Sequence, residues 1–124
     1  GTELIPFDLP FGTMHLMGLV RIFDRDLAVA WPRRTPFALV RALEARGTKV
    51  HFLPEEASAS QNTAFNCVTL GPRKILMVAG HPVTQRFFED LGVTVQAQPA
   101  DELAKAAGAI GCLSGIVARA KDGA

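Results

Sequence analysis

The chain is short of several features that would mark a function at once. It has only two cysteines, Cys67 and Cys112, and three histidines in 124 residues. Two thiols cannot build the framework of a disulfide-stapled domain, and no Cys-x-x-Cys pair marks a thiol redox protein. His15, His51 and His81 are scattered, and with the two thiols they give no metal-ligand spacing. Net charge is also scarce: 13 Lys and Arg against 12 Asp and Glu leave +1. The basic residues are dispersed, so the chain lacks the electrostatic footprint of a nucleic-acid binder. No apolar run approaches the ~20 residues of a membrane span, and no basic segment followed by an apolar one opens the sequence as a leader. Free thiols without a leader fit a reducing cytoplasm. What remains is an ordinary globular composition of one domain's length, 48% hydrophobic and 20% charged. A domain of that size buries about two-thirds of its unfolded surface and needs no staples.

Proline and glycine divide the chain. An extended lead-in holds Pro6, Pro10 and Gly12. Residues 14–22 read as a strand, 23–26 as a polar turn and 27–31 as a second strand, together a hairpin stopped by Pro32. Thr35 as cap and Pro36 at the first helical position predict a helix. Phe37, Leu39, Val40 and Leu43 form its apolar face, with Arg41, Glu44 and Arg46 opposite. Gly47 closes it, residues 49–53 alternate as a strand, and Pro54 ends that. Residues 55–63 are small and polar and read as a loop. Strands follow over 64–70 and 75–79, around the turn 71–74. His81-Pro82 opens a second helix with Phe87, Phe88 and Leu91 inside, and Gly92 closes it. Residues 93–97 read as a strand, 101–107 as a short helical piece and 110–118 as a last strand.

The order strand, strand, helix, strand therefore occurs twice, and a new first strand follows. Pro36 and Pro82 are 46 residues apart, and Gly47 and Gly92 are 45 apart. From each of these glycines the next proline, Pro54 or Pro99, is seven residues on. A period of this length is a structural unit, and it is to be weighed before single residues. The expected architecture is α/β with repeated modules over about 14–54 and 64–99 and a partial third over 110–120, all within one domain, 1–124.

The overlay of first strands brings out three polar residues. His15-Leu16-Met17-Gly18-Leu19-Val20 aligns without a gap on Cys112-Leu113-Ser114-Gly115-Ile116-Val117, and Asn66-Cys67-Val68 takes the comparable place between them. Modules set around a pseudo-rotation axis would bring such positions together. A thiol beside an imidazole can act as a nucleophile, with the imidazole moving protons near neutral pH. On its own stretch Cys112 reads as the buried small hydrophobe that free cysteines usually are; paired with His15 it reads as catalytic. Asn66 reads as a turn-capping amide.

These segments resemble the guanidino-group-modifying enzymes, the amidinotransferase and deiminase superfamily with the pentein fold, and among them the dimethylarginine dimethylaminohydrolases. The resemblance rests on His15-Leu16 before Gly18, on Pro54-Glu55-Glu56 with Ala64-Phe65-Asn66-Cys67-Val68, and on Gly108-Ala109-Ile110-Gly111-Cys112-Leu113-Ser114. It implies an α/β-propeller of five strand-strand-helix-strand modules, incomplete here because only two and the start of a third are present. It implies a hydrolase on C–N bonds of linear amidines, acting on arginine or methylated arginine without a cofactor. Cys112 would be the nucleophile that forms a covalent thiouronium and His15 the general acid and base. Glu55 and Glu56, an adjacent acidic pair, are the candidates for holding the guanidinium, against an ordinary reading as a solvated loop pair. Two departures stand out. Many deiminases carry an acidic residue two after the histidine, where Met17 stands here, and the carboxylates that grip the guanidinium lie mostly in an N-terminal half. The partners implied are a small guanidino substrate and either a complementary N-terminal half or a second copy of the chain, with no nucleic acid or membrane. The alternatives are an amidinotransferase of the same superfamily and a non-catalytic module that binds a partner half.

Overall fold

The computed structural model describes residues 3–54, 63–105 and 108–119. It contains two three-stranded sheets built alike. In the first, β1 (Val20–Asp24) pairs antiparallel with β2 (Leu27–Ala30), α1 (Phe37–Glu44) crosses over, and β3 (Lys49–Phe52) returns parallel to β2. In the second, β4 (Val68–Gly71) pairs antiparallel with β5 (Lys74–Val78), α2 (Pro82–Asp90) crosses over, and β6 (Thr94–Gln98) lies parallel to β5. Both hairpins carry a register shift next to the turn, at Ile22/Asp24 and at Thr69/Gly71. A short helix α3 (Asp101–Lys105) and a 3₁₀ turn, Ile110–Leu113, complete the described chain. No described helix is long and apolar enough to cross a membrane.

The two long helices end in the same way. Gly47 and Gly92 take positive φ, 82° and 78°. The next residue's N–H then reaches back to a carbonyl five residues earlier, Thr48 to Leu43 and Val93 to Phe88, each at 3.1 Å. This closure needs a left-handed residue after the helix, which glycine supplies without a Cβ clash. The glycine spacing seen in the sequence thus marks one repeated helix stop.

The middle strand β2 is buried along its whole length and joins two cores. Leu27 and Val29 point into the larger, with Phe23, Leu53, Phe65, Cys67, Ile75, Met77, Phe88 and Val93. Ala28 and Ala30 point the other way, into a smaller core with Val20 and Leu39. The period-2 alternation of a strand produces this division. The larger core draws on both sheets, and Phe23 of β1 meets Phe88 of α2 edge to face, with centroids 5.1 Å apart. Fully burying a large apolar side chain contributes about 1.5–3 kcal/mol, so this core makes the two units one structure.

Several expectations need correction. The first strand begins at Val20 rather than residue 14, because a 3₁₀ turn over Leu16–Gly18 precedes it. The fourth begins at Val68 rather than residue 64. Residues 110–118 form no strand: the stretch starts as a 3₁₀ turn and continues without regular structure, and no described strand pairs with it. An apolar run becomes a strand only when a neighbour completes its ladder. Thr35 does not cap α1. Its hydroxyl donates to the carbonyls of Leu19, 2.9 Å, and Trp31, 2.8 Å, leaving Pro36 at the cap position. Phe37 is solvent-exposed at the start of α1, while Leu39 and Val40 carry its buried face.

Candidate active site

All three polar residues singled out by the repeat lie off the strands, His15 and Asn66 in the approaches to β1 and β4 and Cys112 in the last turn. His15 precedes the 3₁₀ turn before β1, with extended backbone. Asn66 follows a turn closed by its own N–H on the Thr63 carbonyl, 3.2 Å, two residues before β4. Cys112 lies within the last 3₁₀ turn. Together with Thr13, Met17, Arg21, Arg34 and Phe65, among others, they line one cavity of about 320 Å³. The structure therefore gathers His15, Asn66 and Cys112 at one place. Glu55 and Glu56 fall outside the described residues, and no described residue lining the cavity is acidic.

The Cys112 thiol is exposed to this cavity, and the side chain touching it is Asn66, whose Nδ2 donates to Sγ at 3.0 Å. The other end of the same amide is also engaged: Oδ1 accepts the Gly111 N–H at 2.8 Å. Gly111 is buried, and a Cβ there would lie 2.4 Å from Asn66 Oδ1, 2.9 Å from Arg21 Nη2 and 3.1 Å from the Cys67 carbonyl oxygen. Only glycine lets the turn approach this closely. The sequence signal was therefore present in the glycines before Cys112, but its partner, Asn66, was read as a local turn amide.

The electrostatics separate the two cysteines. The Asn66 amide, then the Ala109 backbone, hold the Cys112 thiol below its ordinary value; the Arg21 charge adds to them against slight burial. Hydrogen bonds and positive charge favour a thiolate. Cys67, 1% exposed in the larger core, is pushed up to about 11 by burial, which outweighs the Arg21 charge and a backbone hydrogen bond. Arg21 stands between them: its Nε donates to the Phe65 carbonyl at 3.0 Å, while its buried Nη2 has no hydrogen-bond partner among the described residues.

The remaining histidines do other things. His81 stands at the start of α2, where Nε2 meets the Thr63 hydroxyl at 2.9 Å. His51 is half-buried in β3, and burial, then the neighbouring Lys49 charge, lowers its pKa.

No family model matches the sequence, and no curated protein matches it. Solved structures do. A dimethylarginine dimethylaminohydrolase in adduct with 4-chloro-2-hydroxymethylpyridine superposes with a TM-score of 0.62 at 20% identity, covering 82% of this chain and 37% of that one. The SxtG amidinotransferase of Microseira wollei, from saxitoxin biosynthesis, gives a TM-score of 0.66 at 11% identity, over 81% of this chain and 30% of the other. A cysteine-to-serine variant of a dimethylarginine dimethylaminohydrolase from Pseudomonas aeruginosa, complexed with citrulline, gives 0.53 at 23% identity, over 76% and 33%. Over the matched residues the chain shares the fold of these dimethylarginine dimethylaminohydrolase and amidinotransferase structures. The chain spans about a third of the length of these pentein structures.

Proposed function

We propose that this chain is the C-terminal part of a pentein-type propeller, with modules over about 14–54 and 64–99 and a partial third over 110–120, and that it carries the nucleophile of a guanidine-modifying hydrolase. The observation that carries the reading is the exposed Cys112 thiol, hydrogen-bonded by Asn66 in the cavity that His15 also lines.

The chemistry follows from these groups. Cys112, as thiolate, attacks the central carbon of arginine or a methylated arginine. An S–C bond forms, and His15 protonates the leaving amine as the C–N bond breaks. A cationic S-alkylthiouronium remains. His15 then takes a proton from water, whose oxygen adds to the same carbon; the added hydroxyl releases its remaining proton to solvent as the C–S bond breaks, and the thiolate leaves as the ureido product forms. Covalent catalysis of this kind replaces one difficult displacement by two easier ones. No cofactor is required by these steps.

The cavity of this chain is lined by Arg21 and Arg34 and by no described carboxylate. A planar cation with several donors needs carboxylates to hold it. Glu55 and Glu56 remain candidates, and a complementary N-terminal half or a second copy is the other source. Exposed apolar side chains flank the site in sequence, Phe11 and Met14 before His15 and Leu113, Ile116 and Val117 after Cys112, and they supply a surface for such a partner. Two free thiols accord with a cytoplasmic setting.

The deciding experiment measures citrulline released from arginine and from methylated arginine, for the chain with its complementing half and for Cys112→Ser. Loss of turnover in the variant is expected; full turnover would remove Cys112 as nucleophile. In parallel, 4-chloro-2-hydroxymethylpyridine, which forms an adduct with a structurally similar hydrolase, is expected to add mass at Cys112 and nothing in Cys112→Ser. The likeness to an amidinotransferase favours a second reading in which an acceptor amine replaces water. Product that incorporates an added amine, at the expense of citrulline, distinguishes it.

A further inference from the structure

We propose that Asn66 is a positioning residue for Cys112, oriented by the Gly111 backbone so that its amide donates to the sulfur and eases the loss of the thiol proton. The inference deepens the functional reading above and rests on Cys112 being the reactive group.

The argument is one of donor and acceptor bookkeeping. A backbone N–H can only donate. The Gly111 N–H points at the Asn66 amide at 2.8 Å, so the atom facing it must be the carbonyl oxygen. The NH₂ end is then turned toward Cys112 Sγ, 3.0 Å away. An amide NH₂ has no acceptor capacity, so the sulfur must accept. A thiolate accepts strongly and a thiol weakly, so the contact favours the charged form. The orientation of Asn66 is thus dictated from outside the amide, by the residue immediately before the cysteine. The close approach at Gly111 keeps the two turns in register: its Cα side faces Asn66 Oδ1, Arg21 Nη2 and the Cys67 carbonyl with no room for a side chain. Arg21 adds a positive charge behind the turn, its Nε fixed on the Phe65 carbonyl one residue before Asn66. The two turns therefore act together: Asn66, in the approach to β4, favours ionisation of the thiol on the turn Ile110–Leu113.

The test is the pH profile of Cys112 alkylation by iodoacetamide, resolved from Cys67 by peptide mass, with N-acetylcysteine measured alongside. In the unaltered chain the midpoint is expected below that of N-acetylcysteine. Asn66→Ala removes the donor without adding charge, and the midpoint is expected to rise by about one pH unit, roughly a tenfold loss of thiolate at neutral pH. Asn66→Asp keeps an acceptor for the Gly111 N–H but replaces the donor with a negative oxygen, and the midpoint is expected to rise further while the melting curve changes little. If Asn66→Ala does not fold, Asn66→Ser serves in its place, its hydroxyl too short to span both groups. An unchanged midpoint in Asn66→Ala or Asn66→Ser, with only the melting temperature lowered, would overturn the proposal and leave Asn66 as a structural amide. No guanidino substrate enters the measurement, so failure of the hydrolase reading shows in the citrulline assay and failure of the Asn66 role shows here.

Discussion

Arg73, in the turn between β4 and β5, reaches Asp24 at the end of β1: its Nε lies 3.1 Å from Asp24 Oδ2. The same guanidinium holds both oxygens of Asp26 through Nη2, each at 2.8 Å, and donates to the Leu91 carbonyl through Nη1 at 3.2 Å. One side chain thus ties the hairpin turn of the first unit to the hairpin turn and helix end of the second. Its backbone N–H also donates to the Phe23 carbonyl at 2.9 Å. Asp26 is well exposed, so each ion pair contributes modestly, but the shared guanidinium makes a network. Arg73→Ala is expected to cost about 1–2 kcal/mol, less at high salt. Urea unfolding at low and high ionic strength measures it. Arg73→Gly is expected to lose less than Arg73→Ala, because Arg73 has a φ of 52° that glycine adopts without strain.

Phe88 is the buried aromatic on which the units meet, fully enclosed and edge-on to Phe23. Phe88→Ala leaves a cavity in the shared core, and a loss of about 3–5 kcal/mol is expected. Equilibrium unfolding followed by circular dichroism checks it. Two separate transitions, instead of one at lower denaturant, would show that the units do not depend on this contact.

Cys67 gives a pH prediction whose sign is fixed by burial. Its folded pKa is raised from the ordinary 9.0 to about 11. A raised value means that the unfolded chain releases its thiol proton first. The contribution is therefore intact below about pH 9 and is lost as pH rises toward about 11. The full loss is on the order of 2–3 kcal/mol. The difference in alkaline unfolding between the unaltered chain and Cys67→Ala isolates it, and the variant is expected to show the shallower decline.

Gly111→Ala tests the approach of the two turns. The added carbon would fall 2.4 Å from Asn66 Oδ1, so the last turn must retreat from Asn66. Slower alkylation of Cys112 at neutral pH is expected, with the sheets intact by far-UV circular dichroism.

The repeat made much of this fold legible. Gly47 and Gly92 announce two identical helix stops, Phe87, Phe88 and Leu91 announce a helix face, and the apolar run 27–31 announces the strand β2, though not its burial along its whole length. The first strands are shorter than the apolar runs that suggest them, because apolar content alone does not form a ladder. Leu16 and Met17 are apolar enough for a strand, but the chain closes there into a 3₁₀ turn with Gly18 bonded to the His15 carbonyl. Residues 110–118 fail for the same reason, since no local pattern reveals whether a neighbouring strand exists. In the site, His15 and Cys112 were legible from the overlay. The part played by Asn66 was not, because its partners lie 45 and 46 residues away and its chemistry depends on which end of the amide faces which group.

The turn that carries Cys112 has a different cohesion from the two sheets. Cys112 is exposed and its turn is held by a few hydrogen bonds, whereas β2 is buried throughout. Local opening free energies follow such differences. On heating, the setting of Cys112 is expected to dissolve while both ladders persist, so that thiol reactivity reverts to that of an ordinary cysteine several degrees before the fold is lost. Amide hydrogen exchange would register the same order, fast at Gly111 and slow at Val29. The reactivity of Cys112 and the stability of the ladders are then expected to behave as separate thermal properties, each altered without the other.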